Sequence, residues 1–317
     1  MTTRPRTTAE AILQHYEKRP SRRSNRLGAS AIGEECERKL WYDFRWASPV
    51  ERFDGRMNRL FDTGNREESR LIEDLRAIGY DVRARDPETG EQFEFVAPHG
   101  HVVAKPDGVL SGIVEDPSQP YGFEAKTHNQ KSFDKLTAKG VEKGHAKHFA
   151  QCQVAAALGE LPGTLYVGVC KETDDVYSEL VPLNRKKADA LLAKAERVVF
   201  ADAPPEKLKD QPGFPPCSWC QHERLCHYSA AHKPVIPVVS CRTCKFAEVH
   251  RDGKWGCSKH ETYRSKEEQE AGCSDHLYIS KLLPFGEPLD EGDGWVLYAG
   301  LQVNTAGGKV FQDSGDE

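Results

Sequence analysis

Asp107, Glu124 and Lys126 fall within one run, His101 to Lys126, which reads HVVAKPDGVLSGIVEDPSQPYGFEAK. Two carboxylates and an ammonium, if they converge, suit phosphodiester hydrolysis. Mg²⁺ is a hard ion, usually held by one or two carboxylates together with water and substrate phosphate. Held that way, it polarises the phosphate, orients an attacking water and lowers that water's pKa. Lys126 would steady the water or offset charge building on phosphorus. Glu-x-Lys on a strand is, taken alone, most simply a solvated face. The chemistry therefore depends on what brings Asp107 beside it.

The flanking residues supply that element. An apolar pair, Val102 and Val103, leads to Pro106-Asp107, and Val109 and Leu110 follow. EDPSQPYG, from Glu115 to Gly122, carries two prolines and a glycine and reads as a turn. Tyr121 to Lys126 then reads as a second strand. Side chains alternate along it, so Glu124 and Lys126 share one face while Ala125 points away. Paired as a hairpin, the two strands set Asp107 next to Glu124.

In this arrangement Asp107, Glu124 and Lys126 resemble the core of the PD-(D/E)XK nuclease superfamily. The flanks resemble its RecB-like iron–sulfur branch, which includes the AddB nuclease domain, the CRISPR-associated RecB-like exonucleases and the lambda-type phage exonucleases. The resemblance implies an α/β, restriction-endonuclease-like core: a mixed central sheet flanked by helices. It also implies Mg²⁺ or Mn²⁺ bound by carboxylates and by the Ala125 carbonyl.

Leu60 to Gly79 carries Leu71, Ile72, Leu75 and Ile78 at helical spacing, with Gly79 as a C-terminal cap. It resembles the family's first motif, a glycine followed four positions on by a metal-proximal histidine or glutamate. Here the pair is Gly64 and Glu68, which makes Glu68 the candidate third acid, with Glu67 and Glu73 as rivals. His148 to Gly159 reads as a small apolar helix. In the resemblance Gln151 matches a glutamine behind the metal site, and Gln153 is the alternative. Lys131, Lys135, Lys139, Lys143 and Lys147 recur every four residues. On a continuous helix they form one basic stripe suited to a DNA backbone, but Gly140 and Gly144 weaken that helix, and a solvated face is the equal alternative. Arg19, Arg22, Arg23 and Arg26 make a second basic stretch, read either as a polar linker or as a phosphate contact.

Ten cysteines in a chain whose start lacks a signal peptide's apolar core argue for metal rather than disulfides. Cys217, Cys220 and Cys226 supply three thiolates and need a fourth ligand. The resemblance gives that role to Cys36, ahead of the basic-aromatic Arg38, Trp41 and Tyr42, and implies a [4Fe–4S] cluster clamping the chain start to the end of the nuclease unit. The competing reading is Zn²⁺ with His222 or His227 as the fourth ligand. Cys241, Cys244, Cys257 and Cys273 form a Cys₄ Zn²⁺ pattern, with Trp255 as a cover and His250, His260 and His276 in reserve. Cys152 and Cys170 are left as core thiols.

With 317 residues and a net charge of -5, the chain is long enough for about two domains, and its charge does not advertise nucleic-acid binding. No apolar run reaches membrane-spanning length, so a cytoplasmic protein is expected. The expected divisions are 1–28, a helix and basic arm; 29–231, the nuclease unit; 232–240, a linker; 241–280, the zinc module; and 281–317, a tail with a possible hairpin. The expected function is a DNA exonuclease of recombination or repair in a bacterium or phage. DNA is its partner, and a recombination or single-strand-annealing protein is a candidate second one. An endonuclease with the same site and a non-catalytic nucleic-acid-binding adaptor built on metal clusters are the alternatives.

Overall fold

In the computed structural model, residues 6–227, 235–283, 285, 288–292, 294–298, 302–305, 307 and 309–312 are described. A mixed five-stranded sheet carries the 107–126 run. Its order is Asp81–Arg83, Gly108–Ser111, Tyr121–His128, Gly163–Cys170, Val176–Pro182. Gly108–Ser111 runs antiparallel to Tyr121–His128, pairing Gly108 with Phe123 and Leu110 with Tyr121, so the expected hairpin is present. Tyr121–His128 runs parallel to Gly163–Cys170, with Glu124 opposite Tyr166 and Lys126 opposite Gly168. A parallel pair needs a long crossover, and the helices Gln130–Gly144 and Ala146–Leu158 provide it.

The two faces of the central strand meet different partners. Tyr121, Phe123 and Ala125 pack with Leu71, Ile72 and Leu75 of the Gly55–Ala77 helix. Burying each of those large side chains contributes about 1.5–3 kcal/mol. The helix starts earlier than its apolar stripe suggests, because Asp54 caps it, accepting from the Met57 N–H at 2.7 Å. It ends at Gly79, where φ is 96°, a left-handed value that glycine adopts without strain. Ile78, expected in the stripe, lies beyond the last turn and is 66% exposed. On the other face, Glu124 meets the Ala146–Leu158 helix.

The lysine run does not follow one helical face. Gly140 is non-helical at φ 68°, and Glu179 fixes the kink by accepting from the Val141 N–H at 2.8 Å. The chain breaks again at His145, and Lys147, on the next helix, is paired with Glu34 at 2.7 Å.

The C-terminal part is tied to the rest. Three short antiparallel strands, Ala247–Val249, Trp255–Cys257 and Thr262–Tyr263, carry Cys257, while Cys241 and Cys244 sit at the Cys241–Thr243 turn before them and Cys273 follows the Lys266–Ala271 helix. A four-stranded antiparallel meander over Pro288–Gly292, Trp295–Tyr298, Gln302–Thr305 and Lys309–Gln312 replaces the single hairpin expected of the tail. The last residues, 313–317, and part of the expected linker, 228–234, lie outside the described residues. The rest of that linker is pinned: Val238 N–H donates to Ala47 O at 3.0 Å, and Tyr278 Oη donates to Pro237 O at 2.8 Å. Trp255, Leu277, Tyr278 and Leu282 sit in one core with Leu27, Trp41, Phe44 and Val102. Trp255 thus faces the N-terminal half rather than covering the cysteines. The turns at Gly100 and Gly253 touch backbone to backbone, so closely that a Cβ on Gly100 would come 2.5 Å from Gly253 Cα.

Arg242 locks this junction. It is 1% exposed, and its guanidinium lies 3.8 Å from the Trp46 ring centroid and 4.4 Å from that of Trp255. Its donors reach Gln269 Oε1 at 2.8 Å, Phe44 O at 3.0 Å and Asn25 O at 3.1 Å. Hydrogen bonds from a charged donor are worth about 1.5–3 kcal/mol each, and removing the donor leaves buried acceptors unpaired. Arg242→Ala is therefore expected to destabilise the protein by about 3 kcal/mol or more. Arg242→Lys, which loses the planar fork, should not restore it. Urea unfolding followed by tryptophan fluorescence measures this, and a loss under about 1 kcal/mol would contradict the lock.

Candidate active site

The hairpin brings the three residues together through the backbone as well as the side chains. Asp107 N–H donates to Phe123 O at 3.0 Å, and the Asp107 Oδ2 accepts from the Ala125 N–H at 2.8 Å. That second bond holds Asp107 against the peptide between Glu124 and Lys126. Lys126 Nζ donates to Glu124 Oε1, and Gln151 Nε2 donates to the same oxygen at 2.7 Å. Gln153 is committed elsewhere: its Nε2 donates to Pro182 O at 2.9 Å and its Oε1 accepts from the Asn184 N–H at 2.6 Å. Gln151 is thus the glutamine at the site.

An open cleft of about 450 Å³ lies over these groups. Glu68, Asp107, Ala125 and Lys126 line it, whereas Glu124 is 1% exposed and sits behind Lys126. Glu67 shares the cleft wall but is 3.4 Å from Arg70, and Glu73 is exposed away from it. The cleft has further polar residues that sequence reasoning missed, Asn65, Thr127 and Lys171. The parallel register, which pairs His128 with Cys170, sets Lys171 at the Lys126 end of the sheet. No local motif signals that.

The electrostatics are those of too many acids for one base. Burial pushes Glu68 up to about 7, the charge of Asp107 adding to it and Lys126 opposing. Glu124 is also pushed up to about 7, by burial first, with Lys126 opposing and Asp107 adding. Asp107 is raised by burial, against Lys126 and the Ala125 N–H. Burial alone would lower Lys126, but the charges of Glu124 and Asp107 outweigh it and raise it. A divalent cation answers such a surplus, and oxygen donors are its preferred ligands. The acids are not drawn tight: among the described residues, the trio of potential ligands lying within 4.8 Å of one another is His260, Cys273 and Asp275.

Near Gln151 is a histidine cluster that no local motif signals. The Tyr166 hydroxyl lies 2.8 Å from His128 Nε2 and 2.9 Å from His148 Nδ1, and the His145 and His148 rings stack at 5.1 Å. Burial first, then His145 and Lys126, pushes His128 down to about 4. Burial first, then Lys126 and His145, pushes His148 down to about 3. Both imidazoles are neutral near pH 7 and add no charge behind Lys126.

The cysteines gather in two places. Cys36 caps the Glu37–Phe44 helix, its Sγ accepting from the Lys39 N–H at 3.4 Å, and its charge reaches Cys217, Cys220 and Cys226. Burial first pushes Cys226 up to about 11, Arg38 opposing, so a cation there would favour its ionised form. His222 has both ring nitrogens engaged, Nδ1 with Ser48 Oγ at 2.7 Å and Nε2 with Asp43 Oδ1 at 2.8 Å. Cys241, Cys244, Cys257 and Cys273 line a cavity of about 250 Å³ together with His260, His276 and Asp275. His260 Nε2 is 4.0 Å from Cys273 Sγ. His276 Nε2 is 3.1 Å from Thr243 Oγ1, and His250 lines no part of the cavity.

No protein-family profile matches the sequence, and no curated protein does. Among solved structures, the crystal structure of SSO0001 aligns with 69% of this chain and 95% of its own at 15% identity and a TM-score of 0.38. An alkaline exonuclease, LHK-Exo from Laribacter hongkongensis, aligns with 58% of this chain and 92% of its own at 14% identity and a TM-score of 0.37. Superpositions this loose decide neither fold nor activity. Among the described residues, no helix is long and apolar enough to cross a membrane.

The raised carboxylates carry a pH signature. Glu68 and Glu124 have folded values near 7 against an ordinary 4.5, so the folded state holds their protons more tightly than the unfolded one. Their contribution to stability is full below about 4.5 and is lost as pH rises through about 7. The melting temperature without added divalent ion should therefore fall over that window, and less so in Glu124→Gln. Added Mg²⁺ should raise it more at about pH 8 than at about pH 5. Differential scanning fluorimetry reads both effects, and a Mg²⁺ shift independent of pH would contradict the assignment.

Proposed function

We propose that the chain is a Mg²⁺- or Mn²⁺-dependent deoxyribonuclease, an exonuclease rather than an endonuclease, built on a restriction-endonuclease-like PD-(D/E)XK core over 29–231. One observation carries the reading: Asp107 is hydrogen-bonded to the peptide that joins Glu124 and Lys126, in a cleft shared with Glu68. Glu68, Asp107, Glu124 and the Ala125 carbonyl would hold the ion. When bound, the ion supplies Lewis-acid polarisation of the phosphate and a lower pKa for the attacking water. Gln151 orients the Glu124 carboxylate from behind. Lys126, kept protonated by Glu124 and Asp107, stabilises negative charge developing on the phosphorus oxygens. The exposed lysines at 131, 135, 139 and 143 offer sequence-independent contacts to a DNA backbone. A role in recombination or repair follows from the resemblance.

Asp107→Ala should lower Mg²⁺-dependent digestion of end-labelled linear DNA by at least about 10²-fold, with Lys126→Ala close behind. Wild-type rates in Asp107→Ala, free of contaminating nuclease, would overturn the mechanism. Closed circular DNA should resist the enzyme, and its cleavage would select the endonuclease alternative. DNA binding with strong salt dependence and no cleavage by the wild type would select the adaptor.

We assign Cys36, Cys217, Cys220 and Cys226 to a [4Fe–4S] cluster, and Cys241, Cys244, Cys257 and Cys273 to Zn²⁺ in a structural module over 241–280. The cluster reading is supported by the electrostatic reach of Cys36, at the start of its helix, to Cys217, Cys220 and Cys226, and by the engagement of His222 elsewhere. Anaerobically purified protein should contain iron, sulfide and zinc. Cys36→Ser should lose iron and sulfide while keeping zinc, and Cys244→Ser the reverse. Elemental analysis measures this, and unchanged iron in Cys36→Ser would remove Cys36 from the set.

A further inference from the structure

The carboxylate cleft does not end at Phe61. That residue, 45% exposed on the Gly55–Ala77 helix, also lines a second groove of about 410 Å³. In it Phe53 meets Phe61 edge to face at 5.0 Å, and the opposite wall carries Arg22 and Arg23. Those two arginines line a third hollow in turn, of about 470 Å³, which reaches Lys266 of the second cysteine segment. Three hollows that share walls make one track from Asp107 to Lys266.

The chemistry of the track is uneven in an informative way. Near the cleft it offers aromatic edges, half in water, on a helix whose other exposed side chains are mostly charged. Farther along it offers guanidinium. Arg23 is anchored, donating to Trp46 O at 3.3 Å and Ser48 O at 3.1 Å. Arg22 is exposed, and among the described residues it has no acidic partner within ion-pair distance; the same holds for Arg52, Arg56 and Arg59 around the start of the helix. By contrast Arg19 and Arg66 share Asp62. Beyond the carboxylate cleft the acids on the track are Asp43, Glu51 and Glu270; Asp43 is occupied by Lys39 and His222, and the charge of Glu270 reaches Arg23. An aromatic platform followed by two arginines, of which Arg22 has no ion pair among the described residues, suits a polymer with flat apolar faces and a phosphate at every repeat. In a duplex those faces are stacked away from such a platform, whereas unpaired bases present them.

We infer that a single-stranded DNA end reaches the carboxylate cleft along this track, its bases against Phe61 and Phe53 and its phosphates against Arg22 and Arg23. The inference rests on the nuclease reading for what happens at the end of the track, but binding alone tests it. The probe is a fluorescein-labelled oligothymidylate, titrated with full-length metal-loaded protein in buffer without added magnesium and followed by anisotropy. Phe61→Ala should weaken binding about 10-fold or more, and Phe61→Tyr, which keeps a ring, should stay within about two-fold of wild type. A blunt duplex of the same length should bind Phe61→Ala and wild type alike. Arg22→Ala should lower the slope of log affinity against log salt by about 0.7, as expected for one lost single-strand phosphate contact. This second arm decides the matter if Phe61→Ala proves misfolded by circular dichroism. Binding by Phe61→Ala within two-fold of wild type, an equal loss on the duplex, an unchanged salt slope in Arg22→Ala, or no wild-type binding to the oligothymidylate overturns the inference. A wild type that binds but cleaves no DNA instead sinks the nuclease reading and leaves the track standing.

Discussion

Everything at the site follows from burying one carboxylate. Glu124 is enclosed by the sheet and the Ala146–Leu158 helix, and an isolated charge there would be costly. Lys126 and Gln151 both donate to it, which is why the crossover must return a polar helix position to this strand. Removing either donor leaves Glu124 less compensated, since the charge of Asp107 already raises it. The parallel strand pair is the device that makes this possible. It obliges the chain to travel across the sheet face and back, and the returning helix supplies Gln151 where the central strand supplies Glu124.

A second constraint binds the two ends of the chain. Among the described residues Arg242 has no carboxylate within ion-pair distance; its charge is met by carbonyls and aromatic faces from residues 25, 44, 46 and 255. Desolvation lowers its pKa well below the ordinary value, the positive charges of Arg45 and Arg23 adding to that. A guanidinium is tolerated there because its planar, weakly hydrated face stacks between indoles while its edge donates. The second cysteine segment therefore leans on the same core as the first, and its order comes from packing as well as from any metal it holds. Its position is also what gives the track beyond Phe61 a wall.

Much of the site was legible because its signals are local. Pro106-Asp107, the proline-rich turn and the alternating FEAK pattern define a hairpin, and the hairpin sets Asp107 against Ala125. The Gly55–Ala77 helix was legible as a stripe, though Asp54 starts it earlier and Gly79 leaves Ile78 outside. The illegible parts are long-range. Lys171 and the histidines around Tyr166 meet the site only through the parallel register. The lysine repeat failed as a single stripe because a glutamate forty residues downstream stabilises the kink at Gly140. Trp255, read as a lid on nearby cysteines, is drawn away by a core formed with residues two hundred positions earlier.

The two cysteine sets make the same physical point from opposite ends. In each, burial raises some of the thiols, Cys217, Cys220 and Cys226 in the first and Cys241 and Cys244 in the second, and a cation would favour their ionised form. One set joins Cys36 to Cys217, Cys220 and Cys226, spanning the whole mixed sheet in sequence, so a shared ion would close a loop of nearly the entire nuclease unit. The other gathers a turn, a strand and a helix end that are neighbours in the chain. Closing the long loop removes more freedom from the unfolded chain, by the logarithm of its length. An ion on the first set would therefore do more than one on the second to hold the ends of the 29–231 unit together.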